Sequence, residues 1–133
     1  MVFKLFNIRS SSRTDFIEIT DLVESFVRES DIDNGLCVVY VPHTTAGVFI
    51  NENADPDVVF DIKTYLEKSV PWVAGYRHTE GNAAAHIKFV LTGNSISIPI
   101  VDGRLTLGTW QGIFFAEFDG PRSRKFYVKI IKG

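Results

Sequence analysis

Hydrophobic positions along the chain follow two different periods. Alternation of apolar and polar residues in "VFKLFNI", in "DFIEI" and in several runs of the last third predicts strands, whereas apolar spacings of three and four residues elsewhere predict helices. The predicted order is two strands, a helix, two strands, two helices and four strands. That order is typical of an α+β fold and differs from alternating βαβ units.

The sequence pattern predicts different degrees of burial for the individual strands. The run "LCVVYVP" is continuously apolar, which predicts a strand buried on both faces. The following "GVFIN" predicts a second strand that could pair with it. The strands of the last third are too close in sequence for long crossovers, so we expect hairpins and an antiparallel sheet. The last of them, "KFYVKII", would be a hazard at an exposed edge, and oligomerisation would cover it.

Capping residues mark where the helices begin. Thr20 or Asp21 is the expected N-cap of the first helix. Asp55 as N-cap, with Pro56 at the first helical position, predicts the start of the second. Asn82 is the expected N-cap of the third helix, "AAAHIKFVL", which should end at Gly93.

Composition narrows the class of protein. The length of 133 residues predicts one domain, residues 1–133. A formal net charge of -2 gives no bulk electrostatic support for binding nucleic acid. No stretch reaches the length of a membrane span, and the N-terminus lacks the apolar core of a signal peptide. We therefore expect a soluble cytoplasmic protein in which the single cysteine, Cys37, is a small buried hydrophobe.

The three histidines are the first candidate for chemistry. His43 follows a predicted strand, His78 lies in a loop, and His86 lies one turn into the third helix. All three therefore sit at element ends, where loops gather into sites. Neutral imidazole is a common zinc ligand, and catalytic zinc often has three protein ligands. The spacing matches no metal signature, so unrelated surface or hydrogen-bonded histidines remain the alternative.

Two glutamates accompany these histidines. Glu52 lies in "NEN" and Glu80 in "HTEGN". Either could act as a general base, as a metal ligand, or as an acceptor that sets the tautomer of a histidine. The alternative for both is a solvated loop carboxylate.

A third group of residues favours an anion. The turn "DGPRSRK" supplies Arg122 and Arg124, and "HTTA" supplies the hydroxyls of Thr44 and Thr45. The helix that begins after Asn82 offers free backbone amides. Because arginine binds phosphate with two parallel hydrogen bonds, these features together fit a phosphorylated ligand. A solvated hairpin turn is the alternative.

The stretch "LGTWQGIFF" is unusual for a strand because two glycines flank its polar centre. Glycine inside a strand predicts a bulge or the close approach of another group. Trp110 could stack on a flat ligand, but packing at a subunit interface is the favoured interpretation.

Three stretches together resemble the YjbQ-like family: "HTTAGVFINENADPDV", "YRHTEGNAAAHIK" and "LTGNSISIPIVDGRLTLGTWQGIFFAEFDGPRSRK". The resemblance implies a single YjbQ-like domain with a β-sandwich-like, mixed or antiparallel sheet core and three short helices, assembled as a homotrimer. It also implies a secondary thiamine-phosphate synthase activity, which joins hydroxymethylpyrimidine diphosphate to thiazole phosphate, beside an open physiological role.

The resemblance further implies a cleft that can hold a divalent metal such as zinc. The family's histidine and glutamate positions correspond to those already named, and its basic and polar positions add Gln111 to Arg122 and Arg124. In that interpretation the metal would lie on the three histidines. Glu52 or Glu80 would act as a base or accept a hydrogen bond from a histidine ligand, and the arginines would hold phosphate. One departure is Ala84, in a stretch where many relatives carry an acid.

Three functions follow as hypotheses. The first is a metal-assisted transferase or phosphate-ester hydrolase that acts on a phosphorylated small molecule. The second is a non-catalytic trimeric protein that binds a metal or a phosphorylated metabolite. The third gives the histidines a purely structural role at subunit interfaces.

Overall fold

The computed structural model describes residues 2–133 and shows an α+β fold with three helices and two antiparallel sheets. The predicted element order is confirmed. Within the described residues, no helix is both long and apolar enough to cross a membrane. The elements are β1 (Phe3–Arg9), β2 (Asp15–Glu18), α1 (Thr20–Glu29), β3 (Gly35–Tyr40), β4 (Ala46–Glu52), α2 (Pro56–Ser69), α3 (Ala83–Thr92), β5 (Ser95–Val101), β6 (Arg104–Leu105), β7 (Gln111–Glu117) and β8 (Ser123–Lys132).

The strands divide into a five-stranded sheet, in the order β1-β8-β3-β5-β6, and a three-stranded sheet, in the order β2-β7-β4. The predicted pairing of "GVFIN" with the preceding strand is wrong. The chain crosses to the other sheet between Tyr40 and Ala46, so β4 pairs with β7, whereas β3 pairs with β5 and β8. This crossing places the segment around His43 at one end of the sandwich.

The main hydrophobic core lies between the two sheets and includes the inner face of α1. Val39 and Phe126 from the large sheet meet Phe115 from the small sheet, and Phe26 of α1 joins them. A smaller cluster, built around Ala85, Ala116 and Phe118, fills the other face of the small sheet beneath α2 and α3. Burial of these apolar side chains is the main favourable term for the fold.

The prediction that β3 is buried on both faces is wrong. Cys37 and Val39 are fully buried, as predicted for the cysteine, but Leu36 and Tyr40 on the opposite face are exposed. Burial raises the pKa of the Cys37 thiol to about 12. The last strand, β8, lies between β1 and β3, so the chain itself covers the edge for which oligomerisation was expected.

The helix caps predicted from the sequence are confirmed in part. Asp55 accepts a hydrogen bond from Asp57 N at 2.9 Å, which confirms the cap of α2. Neither residue proposed for α1 caps it, because the helix already begins at Thr20 and Ile19 takes the N-cap position. Asn82 occupies the N-cap position of α3, but its side chain makes no capping bond.

In the stretch "LGTWQGIFF", the predicted close approach of another group is found at one of the two glycines, Gly112. A Cβ atom on Gly112 would lie 2.7 Å from both Asn53 Nδ2 and Glu18 Oε2, so these side chains require a glycine beneath them. Trp110 is 62 % exposed in the single chain. Its predicted packing would therefore have to involve another molecule.

Candidate functional site

The predicted site residues converge on one cleft at the end of the sandwich. The β3–β4 crossing, the N-terminal end of α3 and the β7–β8 turn form its walls, and its volume is about 410 Å³. Two further predicted residues, Glu52 and Gln111, lie elsewhere. The predicted residues that line the cleft are His43, Thr44, Thr45, His78, Glu80, Asn82, His86, Arg122 and Arg124.

His78 and His86 form a close pair within the cleft. Their ring centroids lie 5.2 Å apart and the rings are nearly perpendicular, at 86°. Gly81, with a φ of 81°, allows the chain to turn between the loop that carries His78 and the helix that carries His86. Two imidazoles this close can supply nitrogen ligands to one ion.

His43 is anchored separately, by the backbone of β8. Its Nε2 lies 3.1 Å from both the N and the O of Lys125. If the Lys125 N–H donates to Nε2, then Nδ1 carries the ring proton; if Nε2–H donates to the carbonyl, then Nδ1 has a free lone pair. Burial and the nearby Arg124 charge lower the pKa of His43, which favours the neutral ring.

Residues 2–133 bring no three histidine, cysteine, aspartate or glutamate side chains together around one candidate metal position. Of the three histidines predicted to share a metal, His78 and His86 lie together, whereas His43 is anchored separately by Lys125. The metal itself stays a prediction. Asn82 also lines the cleft: its Nδ2 donates to Asp119 at 2.9 Å, while its Oδ1 is buried and has no hydrogen-bond partner within residues 2–133. Two imidazoles and an unpaired amide oxygen are a donor set that fits a divalent metal.

Each arginine of the cleft already has a carboxylate partner. Arg124 is buried and donates to Glu117 through Nε at 2.8 Å and Nη2 at 2.6 Å. Its Nη2 also donates to the Thr45 hydroxyl at 2.7 Å. Arg122 donates from Nη2 to Asp119 Oδ2 at 2.9 Å. The cleft is therefore less cationic than the sequence indicates, because each positive charge is offset locally.

Glu117 holds the cleft residue Arg124 from inside the fold, and it was not among the residues predicted from the sequence. It is fully buried, and it accepts hydrogen bonds from the Ser10 hydroxyl at 2.7 Å and from Asp119 N at 3.0 Å in addition to those from Arg124. Burial alone raises the pKa of Glu117, but the hydrogen bonds from Arg124, Asp119 and Ser10 together lower it. The available signal was a single acid inside the apolar run "GIFFAEF", since buried acids are rarely unpaired.

Glu52 and Gln111 lie at the opposite end of the small sheet. They face each other across the β4–β7 pair, and the length of β4 separates them from the cleft by about 20 Å. Glu52 accepts from Asp55 N at 3.2 Å, and Gln111 accepts from Gly108 N at 2.8 Å. Within one chain, both therefore support local turns.

Comparisons with known proteins agree with this architecture. The family description "UPF0047 protein YjbQ-like" matches residues 4–133. The chain belongs to the YjbQ-like UPF0047 family. Among members of this family, it is 53% identical to UPF0047 protein MJ1081 of Methanocaldococcus jannaschii, over 98% of this chain and 94% of that protein. It is 47% identical to UPF0047 protein YugU of Bacillus subtilis, over 98% and 99% of the two chains.

Solved structures of YjbQ-like proteins share the fold. The crystal structure of an uncharacterized conserved protein of the family from Clostridium acetobutylicum superposes with a TM-score of 0.95 at 55% identity, covering 96% of this chain and 99% of that one. A hypothetical protein from Aeropyrum pernix has a TM-score of 0.95 at 38% identity and full coverage of both chains, 100% each. The function of this family is not established.

Proposed function

We propose that the cleft binds a divalent metal, such as zinc, through His78 and His86, and that the protein is a metal-dependent enzyme acting on a phosphorylated small molecule. The observation that carries this proposal is the 5.2 Å pair of imidazoles in the same cleft as two arginines. The unpaired Asn82 oxygen supports it, because a buried acceptor without a donor is uncommon in folded proteins.

The other residues of the cleft would hold and orient the substrate. Arg124 uses Nε and Nη2 for the Glu117 carboxylate, whereas Arg122 uses Nε for the backbone carbonyl of Asp119 and Nη2 for its carboxylate. Among the described residues, neither Nη1 has a hydrogen-bond partner. These Nη1 groups and the exposed Thr44 hydroxyl would donate to phosphate oxygens. A bound metal would polarise a phosphate or activate a water.

His43 is suited to proton transfer or to hydrogen bonding of the substrate. Lys125 holds one ring nitrogen, so Nδ1 remains for the ligand, and the lowered pKa keeps the ring neutral near pH 7. Glu80 lies in the cleft and is exposed, so it would serve as an acceptor or base only when substrate orders it.

The chemistry that the family resemblance implies is a secondary thiamine-phosphate synthase activity. In that reaction the thiazole phosphate displaces diphosphate from hydroxymethylpyrimidine diphosphate. The roles assigned above fit its two phosphorylated substrates, since both carry oxygens for the free arginine N–H groups.

Metal binding is tested by titrating metal-free protein with Co²⁺ and Zn²⁺ and measuring metal content and Co²⁺ absorption. We expect His78→Ala and His86→Ala each to weaken binding by about a hundredfold or more, and His43→Ala to have a smaller effect. Arg77→Ala, an exposed neighbour of His78, is the matched control. Unchanged affinity in His86→Ala would rule out the proposed ligand set.

Catalysis is tested with the thiamine-phosphate synthase substrates and a panel of phosphate esters and diphosphates, with and without the bound metal. Metal-dependent turnover that is lost in His86→Ala and reduced in Arg122→Gln would support the enzyme. Tight ligand retention without turnover would instead support the second candidate, a non-catalytic binding protein. That candidate is favoured by the positions of the two candidate carboxylate bases, since Glu80 is exposed and Glu52 lies at the far end of the small sheet.

The outer face of the large sheet supports the proposed homotrimer. Leu5, Tyr127 and Tyr40 lie opposite one another across β1, β8 and β3, and the two tyrosine rings stack with centroids 6.4 Å apart. Leu36 and Ile131 extend this exposed apolar face. Patches of this kind mark interaction surfaces in soluble proteins.

Native mass measurement tests the trimer and the face together. We expect the unmodified chain to give a trimer and Tyr40→Lys to give monomers, with Tyr65→Lys on α2 as the control. A trimer that assembles without metal but dissociates in His78→Ala or His86→Ala would favour a structural role for the histidines. A cytoplasmic location remains a prediction.

A further inference from the structure

A second cavity lies between α1 and the β5–β6 turn, and it shares no residue with the cleft. Its volume is about 520 Å³. Asp33, next to this turn, precedes β3, and His43 of the cleft follows β3, so the two cavities lie at opposite ends of that strand. The side chains that form it are Glu24, Val27, Arg28, Asp102, Arg104 and Leu105.

The cavity lies beside the short edge of the large sheet. Strand β6, at the sheet edge, has only two residues, Arg104–Leu105. Helix α1 packs beside it, and the spacing of Glu24, Val27 and Arg28 places these three side chains on one face of the helix.

Both walls of the cavity are held by the backbone. Asp102 and Gly103 have φ values of 52° and 76°, the positive values that a tight two-residue hairpin turn requires. Gly103 N also donates to Asp33 O at 2.9 Å. On the other side, Val23, Phe26 and Val27 bury the inner face of α1 in the core. A ligand would therefore meet a cavity that is already formed.

The cavity has an apolar floor. Val27 is 2 % exposed and belongs to the main core, and Leu105 packs against that core. The volume lies in the range of roughly 300 to 1,000 Å³ that is typical of small-molecule sites. Such sites combine apolar surface with a few polar groups that fix the ligand's orientation.

Among the described residues, the charged groups around this floor form no ion pairs. Within residues 2–133, the side chains of Glu24, Asp102 and Arg104 make no hydrogen bond or ion pair, and Arg28 contacts only the Ser25 hydroxyl, at 3.2 Å. Two acids and two arginines thus border one cavity without forming an ion pair with each other. A ligand could engage all four charges without first breaking a salt bridge.

This arrangement selects the class of ligand. A simple anion would be attracted by Arg28 and Arg104 but repelled by the nearby acids. A simple cation would be attracted by Glu24 and Asp102 but repelled by the nearby arginines. A molecule with one positive and one negative group can satisfy both signs. We propose that this cavity binds an aliphatic α-amino acid as its zwitterion. The carboxylate lies on the arginines, the ammonium on the acids, and the side chain on Val27 and Leu105.

L-leucine is the probe that tests this site, with binding measured by calorimetry and by protection against thermal unfolding. We expect saturable binding of leucine, and at least about tenfold weaker binding of leucinamide, which lacks the carboxylate, and of 4-methylpentanoate, which lacks the ammonium. Glu24→Gln and Arg104→Gln should each weaken leucine binding by at least about tenfold. Arg77→Gln, outside the cavity, should leave it unchanged.

Several outcomes would overturn the proposal. One is the absence of saturable leucine binding up to about 10 mM. Another is equal binding of leucine and 4-methylpentanoate, which would indicate a simple anion site. A third is full retention of leucine affinity in Arg104→Gln and Glu24→Gln. Because the readout is binding, the result does not depend on metal or on turnover at the cleft.

Discussion

The two cavities at opposite ends of β3 use charge in opposite ways. At the cleft, Arg124 and Arg122 are each bound to a carboxylate, and the Glu117–Arg124 pair is buried. At the α1 cavity, Glu24 and Arg104 are free of such partners among the described residues. The same residue types therefore support the structure at one end and remain available for a ligand at the other.

This contrast changes how the cleft is interpreted. Arginines that already hold carboxylates contribute little net positive charge, so the imidazoles of His78 and His86 are its distinctive groups. The arginines shape the cleft and offer their remaining N–H groups. In the α1 cavity, by contrast, removing a charge should change binding and leave folding almost unaffected.

The largest expected effect is at Glu117. Glu117→Ala leaves the buried Arg124 without its counterion, and breaking a buried pair in this way typically costs about 3–5 kcal/mol. Chemical denaturation would measure the loss in the free energy of unfolding. A loss below about 1 kcal/mol would show that water or structural relaxation compensates the unpaired charge of Arg124. The charges of the cleft would then be no more important for stability than those of the α1 cavity.

Ser10 should have the next largest effect. Ser10→Ala removes a hydroxyl that donates to Glu117 at 2.7 Å and accepts from Arg122 N at 2.9 Å. A hydrogen bond to a buried charge is worth roughly 1.5–3 kcal/mol, and we expect a loss in that range. The control is Ser123→Ala, whose exposed hydroxyl contacts Arg9; it should change the unfolding free energy by less than about 0.5 kcal/mol.

Protonation of His43 should make the stability of the fold depend on pH. Its pKa is lowered in the folded chain from an ordinary value of 6.5, so the unfolded chain binds protons more readily. The contribution of the neutral ring is complete above pH 6.5 and is lost as the pH falls from there through the folded-state pKa. Thermal melting across this window should fall less steeply in His43→Gln than in the unmodified protein; parallel curves would contradict the assignment.

Glu117 acts in a more acidic window. Its pKa is lowered from 4.5, so the stability that its hydrogen bonds contribute is complete above pH 4.5 and is lost as the pH falls further. The His43→Gln variant should retain this second decline. If the unmodified protein showed only one decline in stability with falling pH, and His43→Gln showed none, the two groups would not titrate separately.

The smallest effects on stability are expected at the α1 cavity. Arg104→Gln and Glu24→Gln should each change the free energy of unfolding by less than about 0.5 kcal/mol, because neither side chain has a hydrogen-bond or ion-pair partner within residues 2–133 to lose. Denaturation curves recorded beside those of Glu117→Ala provide the comparison. A loss of 2 kcal/mol or so in either variant would show that these charges support the fold.

Local patterns predicted much of the fold and part of the site. Hydrophobic period located the strands and helices, and Asp55 capped α2 as expected, because both depend on neighbours in sequence. The predicted partner of β4 was wrong because long-range packing determines which strands pair, and β-propensity does not encode that packing. Exposure of Tyr40 was missed for the same reason: an apolar run does not show which faces of a sheet are covered.

At the site, sequence located the chemistry and tertiary structure decided its arrangement. The residue types and their positions at element ends were sufficient to select nine of the cleft-lining residues. The paired His78 and His86 rings, the separate anchoring of His43 by Lys125 and the distance of Glu52 all depend on which strand ends meet. Likewise, the sequence shows that Arg124 carries a positive charge, but only the fold shows that Glu117 neutralises it. The two residues come from strands of different sheets, which meet only because the sheets pack against each other around a shared core.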